Sequence, residues 1–387
     1  MQVIQVTGKQ TVNEFHSLPE TIYKNDTNRV PQLRMMIENT FNPKKNAKFK
    51  TGDARRWIVK KEGKCIGRIA AFYDADYAGG YEQPTGGCGF FECINNREAA
   101  FLLFDTAKNW LMENGMEAMD GPVNFGENFF YWGLLANGFK QQTFGMQYNP
   151  PYYLQLFKEY GFKTYYNQFS YSLDITTPDL PDRFWKIAAW VAKKPGFSYR
   201  HFTFKNQNKF ICDFIEIHQK AWSSHDNYKP VRFEQLKEMV TNARLMLDEE
   251  FIWFVYHNGK PIAFFMMIPD FNQILHKFKN GKLSLFKVAQ ILYYKNRKII
   301  SRCRVIVLGV IPQFQRMGIE SGIFYQLKKV MLRKPWYNEM EMSWVGDFNP
   351  KMNALFKSFG ATQTLTHKTM RFLFDKNQVF KRAPIID

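Results

Sequence analysis

The sequence predicts an α/β (α+β) protein made of two tandem domains of one fold, each a mixed, mainly antiparallel sheet flanked by helices. Three observations predict it. A hairpin-like segment occurs twice, a second pair of segments repeats further on in the same order, and a continuous apolar run in the second half leads through a turn into a helical pattern. The 387 residues suit two domains.

The first repeat aligns Trp57, Val59, Gly63, Lys64 and Ile66 with Trp253, Val255, Gly259, Lys260 and Ile262, and runs on to Asp74 and Asp270. Each copy reads as strand, tight Gly-Lys turn and second strand, a β-hairpin. The second repeat aligns Asn149-Pro150, Phe157-Lys158 and Gly161 with Asn349-Pro350, Phe356-Lys357 and Gly360. One fold used twice explains both. The turn-rich stretch Thr176–Pro181 is the expected linker, giving domains over 1–176 and 182–387.

In the second copy the patterns predict a strand over Phe197–Phe204, a helix over Lys209–Trp222 and a hairpin over Phe251–His257 and Pro261–Ile268. A central buried strand over Val305–Val310 follows, then a helix over Gly318–Leu332 and a strand over Glu339–Trp344. A short helix over Pro350–Phe359, stopped by Gly360, and a strand pair over Thr362–Leu373 close the copy. The first copy reads alike: Ile58–Tyr73 as hairpin, Gly89–Ile94 as strand, Glu98–Met112 and Tyr152–Tyr160 as helices.

Composition bounds the function. Apolar residues are 45% and charged residues 23%, which excludes a disordered chain. No transmembrane run and no secretory leader are read in the sequence, so a cytoplasmic protein is expected. Five cysteines without a CxxC pair suit reduced thiols, and no metal site is expected. Cys88 and Cys93 fall on opposite faces of their strand, and His218 and His225 lie seven apart across a helix end with Asp226 beside them. These read as structural groups, as do Trp57 and Trp253 in the hairpins. With 53 basic and 35 acidic residues the net charge is +18, which favours polyanionic partners. Ten Lys or Arg and no acid lie between Asp270 and Glu320, and segment 271–300 reads as a basic, amphipathic helical insert. Its readings are a lid with a basic outer face, a patch for a nucleotide or nucleic acid, or an anionic membrane surface.

The segment Leu308 to Glu320 passes from a buried strand through a turn into a helix start. Free N–H groups there, with the helix dipole behind them, suit a phosphate. This segment resembles motif A of the GCN5-related N-acetyltransferase (GNAT) superfamily through Gln315, Arg316, Met317, Gly318 and Ile319, with Leu308, Val310 and Phe314 before them. The later run Asn349, Met352, Leu355, Phe356, Gly360 is similar to the final motif of that family. The first copy has Asn95-Asn96-Arg97-Glu98 where motif A would stand. The stretches Gly121-Pro122 and Tyr148–Tyr153 resemble bacterial two-domain GNAT-like proteins of unassigned function.

The resemblance implies a tandem GNAT protein with a degenerate first copy. It implies acetyl-CoA or another acyl-CoA as co-substrate, bound by Leu308, Val310, Gln315, Arg316, Met317, Gly318, Ile319, Asn349 and Phe356. The pyrophosphate would lie on the amides from Gln315 to Glu320, the pantetheine arm on the edge at Leu308 and Val310, and Asn349 near the thioester. A small-molecule or peptide amine would attack the thioester directly in a ternary complex. No catalytic residue is assigned. Glu320 stands at a Gly/Ala position of the motif, and Phe356 replaces the tyrosine that often protonates the leaving thiolate. Two alternatives accompany this reading: a non-catalytic GNAT-like binding protein, and a transferase using an aminoacyl-tRNA donor, with nucleic acid as partner. The aromatic residues Phe129 to Trp132 are expected to help wall the acceptor cleft.

Overall fold

The computed structural model describes residues 1–80, 82–126, 128–176, 182–222 and 230–386. The first half contains β1 (Gln2–Gln5), α1 (Lys9–Ile22), α2 (Arg34–Thr40), β2 (Gly52–Lys61), β3 (Lys64–Asp74), α3 (Ala75–Ala78) and β4 (Thr85–Cys93). It continues with α4 (Arg97–Glu113), β5 (Ala118–Gly121), β6 (Leu134–Asn137), α5 (Tyr153–Tyr160) and β7 (Lys163–Asp174). The second half contains α6 (Asp182–Ala192), β8 (Phe197–His201), α7 (Gln207–Trp222), α8 (Phe233–Asn242), β9 (Ile252–His257), β10 (Lys260–Pro269), α9 (Asn272–Leu275) and α10 (Leu285–Asn296). It ends with β11 (Arg302–Val310), α11 (Ile319–Arg333), β12 (Glu339–Gly346), α12 (Pro350–Ser358) and β13 (Thr362–Leu373). Of the expected linker Thr176–Pro181, residues 177–181 lie outside the described residues, as do His225 and Asp226.

One sheet of thirteen strands runs through the molecule, in the order β1-β2-β3-β4-β5-β13-β7-β12-β11-β10-β9-β8, with β6 paired to β13. The order is palindromic in its elements. β4 and β5 pair parallel, as do β11 and β12, and the other pairs are antiparallel. Each half gives its last strand to the other: β13 lies against β5 of the first half, and β7 against β12 of the second. β7 and β13 then pair with each other from Thr362↔Ser172 to Arg371↔Lys163, sealing the middle. The expected strand pair over Thr362–Leu373 is one twelve-residue strand, paired with β7 from Thr362 to Arg371 and, on its other side, with β6 and then β5 from Thr366 to Leu373.

Local chemistry explains the repeated elements. Both hairpins turn on a left-handed pair, Glu62-Gly63 and Asn258-Gly259, so the lysines start the next strand and do not form the turn. Both last helices end in a left-handed glycine. Phe162 N–H bonds back to Phe157 C=O, and Ala361 N–H to Phe356 C=O, so Gly161 and Gly360 are forced by the chain reversal. In β2, Trp57 and Val59 face the core with α4, while Ile58 packs with Phe15 of α1 on the other face. Helices therefore cover both sides of the sheet. Trp57 and Trp253 are both buried, as hairpin core residues. Among the described residues no helix is long and apolar enough to cross a membrane.

Candidate functional site

The second half opens a slot where β11 and β12 diverge. Their parallel pairing covers Arg302↔Glu339 to Val305↔Met342 and stops there. Beyond it, β11 keeps its antiparallel partner β10 up to Ala263↔Val310. Ile311 N–H bonds to Ile262 C=O, so strand alternation turns the backbone groups of Leu308 and Val310 away from β10, into the slot. Gln315 Nε2 reaches back across the turn to Val310 C=O at 3.2 Å.

The turn then opens α11 without a cap. Arg316 and Gly318 are both left-handed, at φ 64° and 75°. Gly318 is the N-cap residue and has no side chain to accept the first-turn amides. The bond from Gly322 N–H to Gly318 C=O is the helix's first, leaving the N–H groups of Ile319, Glu320 and Ser321 for another acceptor. Arg316 and Met317 are exposed and Ile319 is buried. A Cβ at 318 would sit 3.4 Å from Val191 of α6, which backs the turn. Glu320 lies near the buried Tyr199 hydroxyl. Burial first, and that carboxylate second, push the phenol up to about 12.

Other walls come from both halves. Phe214, His218 and Trp222 stack along one face of α7 at centroid separations of 5.6 and 5.1 Å. Trp222 packs closely on β11, since a Cβ at Gly309 would come within 2.4 Å of its ring. Burial holds the His218 imidazole below its ordinary pKa. From the first half, the carbonyls of Phe129 and Phe144 accept from the fully buried Arg304, whose Nε donates to Ser343 on β12 at 2.8 Å. Burial pushes this guanidinium down to about 10. Phe130 packs on Phe144, and Asn128 C=O accepts from Trp344 Nε1, so the aromatic segment reaches β12.

The structure brings Leu308, Val310, Gln315, Arg316, Met317, Gly318 and Ile319 together around this slot. Asn349 and Phe356 serve α12 instead. Asn349 Oδ1 caps the helix by accepting Met352 N–H at 3.0 Å. Phe356 is buried edge-on against Tyr171. Of the ten basic residues between Asp270 and Glu320, not all belong to a basic surface. Arg302 and Arg304 are internal, Arg302 being paired with the buried Asp270 at 2.8 Å. Counting charges along the chain does not show which way strand residues face.

The first half has the matching divergence, and it is closed. β4 and β5 pair from Thr85↔Ala118 to Gly87↔Asp120 and then separate. Tyr153 Oη accepts Cys93 N–H at 2.8 Å, while Tyr152 Oη donates to Cys93 C=O at 2.7 Å. Tyr153 and Tyr23 both donate to Glu92 Oε2 at 2.8 Å, and Arg68 lies 3.6 Å from Oε1. Burial raises the Glu92 carboxyl and the Tyr23 phenol. The helix start is closed too: Asn96 caps α4, with Oδ1 accepting Ala99 N–H at 2.8 Å. Sequence reasoning missed this network. A Glu inside the apolar strand Gly89–Ile94, opposite Arg68 of the hairpin, is the signal that marks it.

No family model matches the sequence. Over 97% of this chain and 99% of the other, the structure superposes with a TM-score of 0.58 on a tandem GNAT protein from the clavulanic acid biosynthesis pathway, at 10% identity. The chain has the tandem GNAT fold. A GCN5-related glucosamine N-acetyltransferase region of a fungal multi-domain β-N-acetylglucosaminidase gives the same TM-score at 11% identity, matched over 96% of this chain and 38% of that one. In sequence, this GNAT-fold chain is 26% identical over 380 residues to the bacterial ceramide synthase of Caulobacter vibrioides, covering 95% of this chain and 96% of that protein. It is 24% identical over 362 residues to protein YghO of Escherichia coli, covering 92% and 90%.

Proposed function

We propose that this protein is an acyl-CoA-dependent N-acyltransferase with its acyl-CoA site on the second half. One observation carries the reading. The α11 start and the β11 edge are open together, whereas the same two features of the first half are satisfied by Asn96, Tyr152 and Tyr153. The uncapped amides and the left-handed turn fit a pyrophosphate. The edge at Leu308 and Val310 fits an extended amide-bearing arm that adds like a strand.

Acyl-CoA supplies an activated acyl thioester. The amides of Ile319 to Ser321, with Arg316 beside them, hold its phosphates. Leu308 and Val310 align the arm. Val310 C=O already accepts from Gln315 and has a second lone pair to offer. Trp222 packs on β11 at Gly309, between the two strand residues that align the arm. Catalysis by this site is positioning of the acceptor amine against the thioester carbonyl. Between Cys303 and Val310 the strand carries no carboxylate, so the amine loses its proton to water or to a group beyond β11.

The name of the Caulobacter relative supports a class of acceptor. A ceramide is an amide of a long-chain amino alcohol, so a lipid amine is the proposed acceptor and a fatty acyl group the proposed donor. The test incubates the full chain with acetyl-CoA or palmitoyl-CoA and sphinganine. Free thiol is followed beside the amide mass. Equal yields of thiol and amide are expected. Tight acyl-CoA binding without thiol release would instead leave a binding protein.

A further inference from the structure

The helix α10 presents its apolar side chains to solvent. Leu285 is 91% exposed, Phe286 72%, Tyr293 60% and Leu292 41%. With Ala289 they form one face at helical spacing. The opposite face, through Ile291 and Tyr294, packs on the core. Ser284 caps the helix, so the exposed face belongs to a formed element. Leu245, 50% exposed, extends the apolar patch, because Lys295 Nζ bonds to its carbonyl at 2.7 Å.

The charge flanking this face is mainly basic. Lys277, Lys279, Lys282, Arg297 and Lys298 are exposed, and among the described residues none of them is ion-paired. Segment 271–301 contains no acid. Of the carboxylates felt by its lysines, Glu20 lies near Lys287 and Asp248 near Lys295, and Asp248 and the adjacent Glu250 are held by Lys334 and Arg333. A polynucleotide would account for the lysines and leave Leu285 and Phe286 in water. A hydrocarbon surface bearing negative headgroups accounts for both.

We propose that α10 and its flanking lysines dock this protein on an anionic lipid bilayer, with the Leu285, Phe286 and Leu292 face inserted at the headgroup boundary and the basic residues against the headgroups. The contact is interfacial, since α10 has twelve residues and cannot span. Docking goes beyond the acyltransferase reading and does not depend on it, because its readout is sedimentation and not turnover.

The test sediments the full chain with vesicles of phosphatidylcholine alone and of phosphatidylcholine mixed with phosphatidylglycerol. The protein is expected to pellet with the mixed vesicles and to remain soluble with the neutral ones. Leu285→Ser with Phe286→Ser, at exposed positions, should lower partitioning about tenfold while leaving the thermal melt unchanged. Lys282→Glu with Arg297→Glu should remove the preference for anionic vesicles. No binding to mixed vesicles, or binding unchanged by Leu285→Ser with Phe286→Ser, overturns the proposal. So does steeply salt-dependent tRNA binding without vesicle binding, or a stable dimer in gel filtration that the double serine variant abolishes.

Discussion

The molecule contains the same strand divergence twice, and only the groups around it differ. Hairpin register makes the two comparable: Gly67 faces Cys93 as Ala263 faces Val310, and Arg68 faces Glu92 as Phe264 faces Gly309. In the first half Glu92 fills its position with a carboxylate bonded by Tyr23 and Tyr153. In the second half Gly309 leaves room, and Trp222 packs over it. Tyr152 and Tyr153 tie up Cys93, while the matching Met352 and Asn353 leave β11 alone; Asn353 Nδ2 turns to Gly346 C=O at 2.9 Å. Asn96 closes one helix start, and Gly318 leaves the other open. A scaffold used twice thus keeps its strands and caps. The chain's own polar groups occupy, in one copy, the places that a ligand's polar groups would take in the other.

The largest expected effect breaks the comparison apart. Residues 182–387 alone lack β7, which pairs with both β12 and β13. That fragment should show no cooperative thermal transition and a poorly dispersed NMR spectrum. A well-folded fragment with full acyl-CoA affinity would show that the strand exchange is dispensable.

The closed slot should be structural. Glu92→Ala strands the buried Arg68 and is expected to cost about 4 kcal/mol in urea unfolding, by analogy with broken buried pairs. Acyl-CoA affinity should not change. A large loss of affinity at unchanged stability would move the ligand to the first half.

Acid should loosen the seam between the halves. His367 on β13 is fully buried, with Nε2 2.8 Å from Gln147 C=O. Burial pushes its pKa down to about 4, with Arg304 nearby acting the same way. The unfolded chain therefore binds the proton more tightly. This contribution, about 3 kcal/mol, is complete above the unfolded value near 6.5 and is lost as pH falls through about 4. Urea midpoints between these pH values should fall for the native protein and vary less for His367→Gln.

The smallest effect concerns the motif departure. Glu320→Ala should tighten acyl-CoA binding by about 0.5–1 kcal/mol if its carboxylate is felt by the phosphates. Unchanged titration curves would assign Glu320 to Tyr199 instead.

The elements with local signals were legible in the sequence: both hairpins, the strand Val305–Val310, the uncapped start at Gly318 and the helices stopped by Gly161 and Gly360. Pairing across the middle was not. Thr362–Leu373 read as strand and Lys163–Asp174 was not assigned, and nothing in a strand's own residues states which half it will join. Facing was also hidden. Arg302 and Arg304 looked like part of a basic surface and proved internal, because their strand is covered on both sides. Asn349 also has a local task, its Oδ1 capping α12, which the Asn-Pro pair itself announces. The closed network escaped notice because Glu92, Arg68 and Tyr23 lie far apart in sequence and meet only through the fold.

Calorimetric titration of acyl-CoA into the full chain tests the asymmetry most directly. A single site per chain is expected, abolished by Gly318→Trp, which places a bulky side chain at a left-handed position against Val191, and retained in Tyr153→Phe. Two sites per chain, or a single site that survives Gly318→Trp and disappears in Tyr153→Phe, would contradict the account.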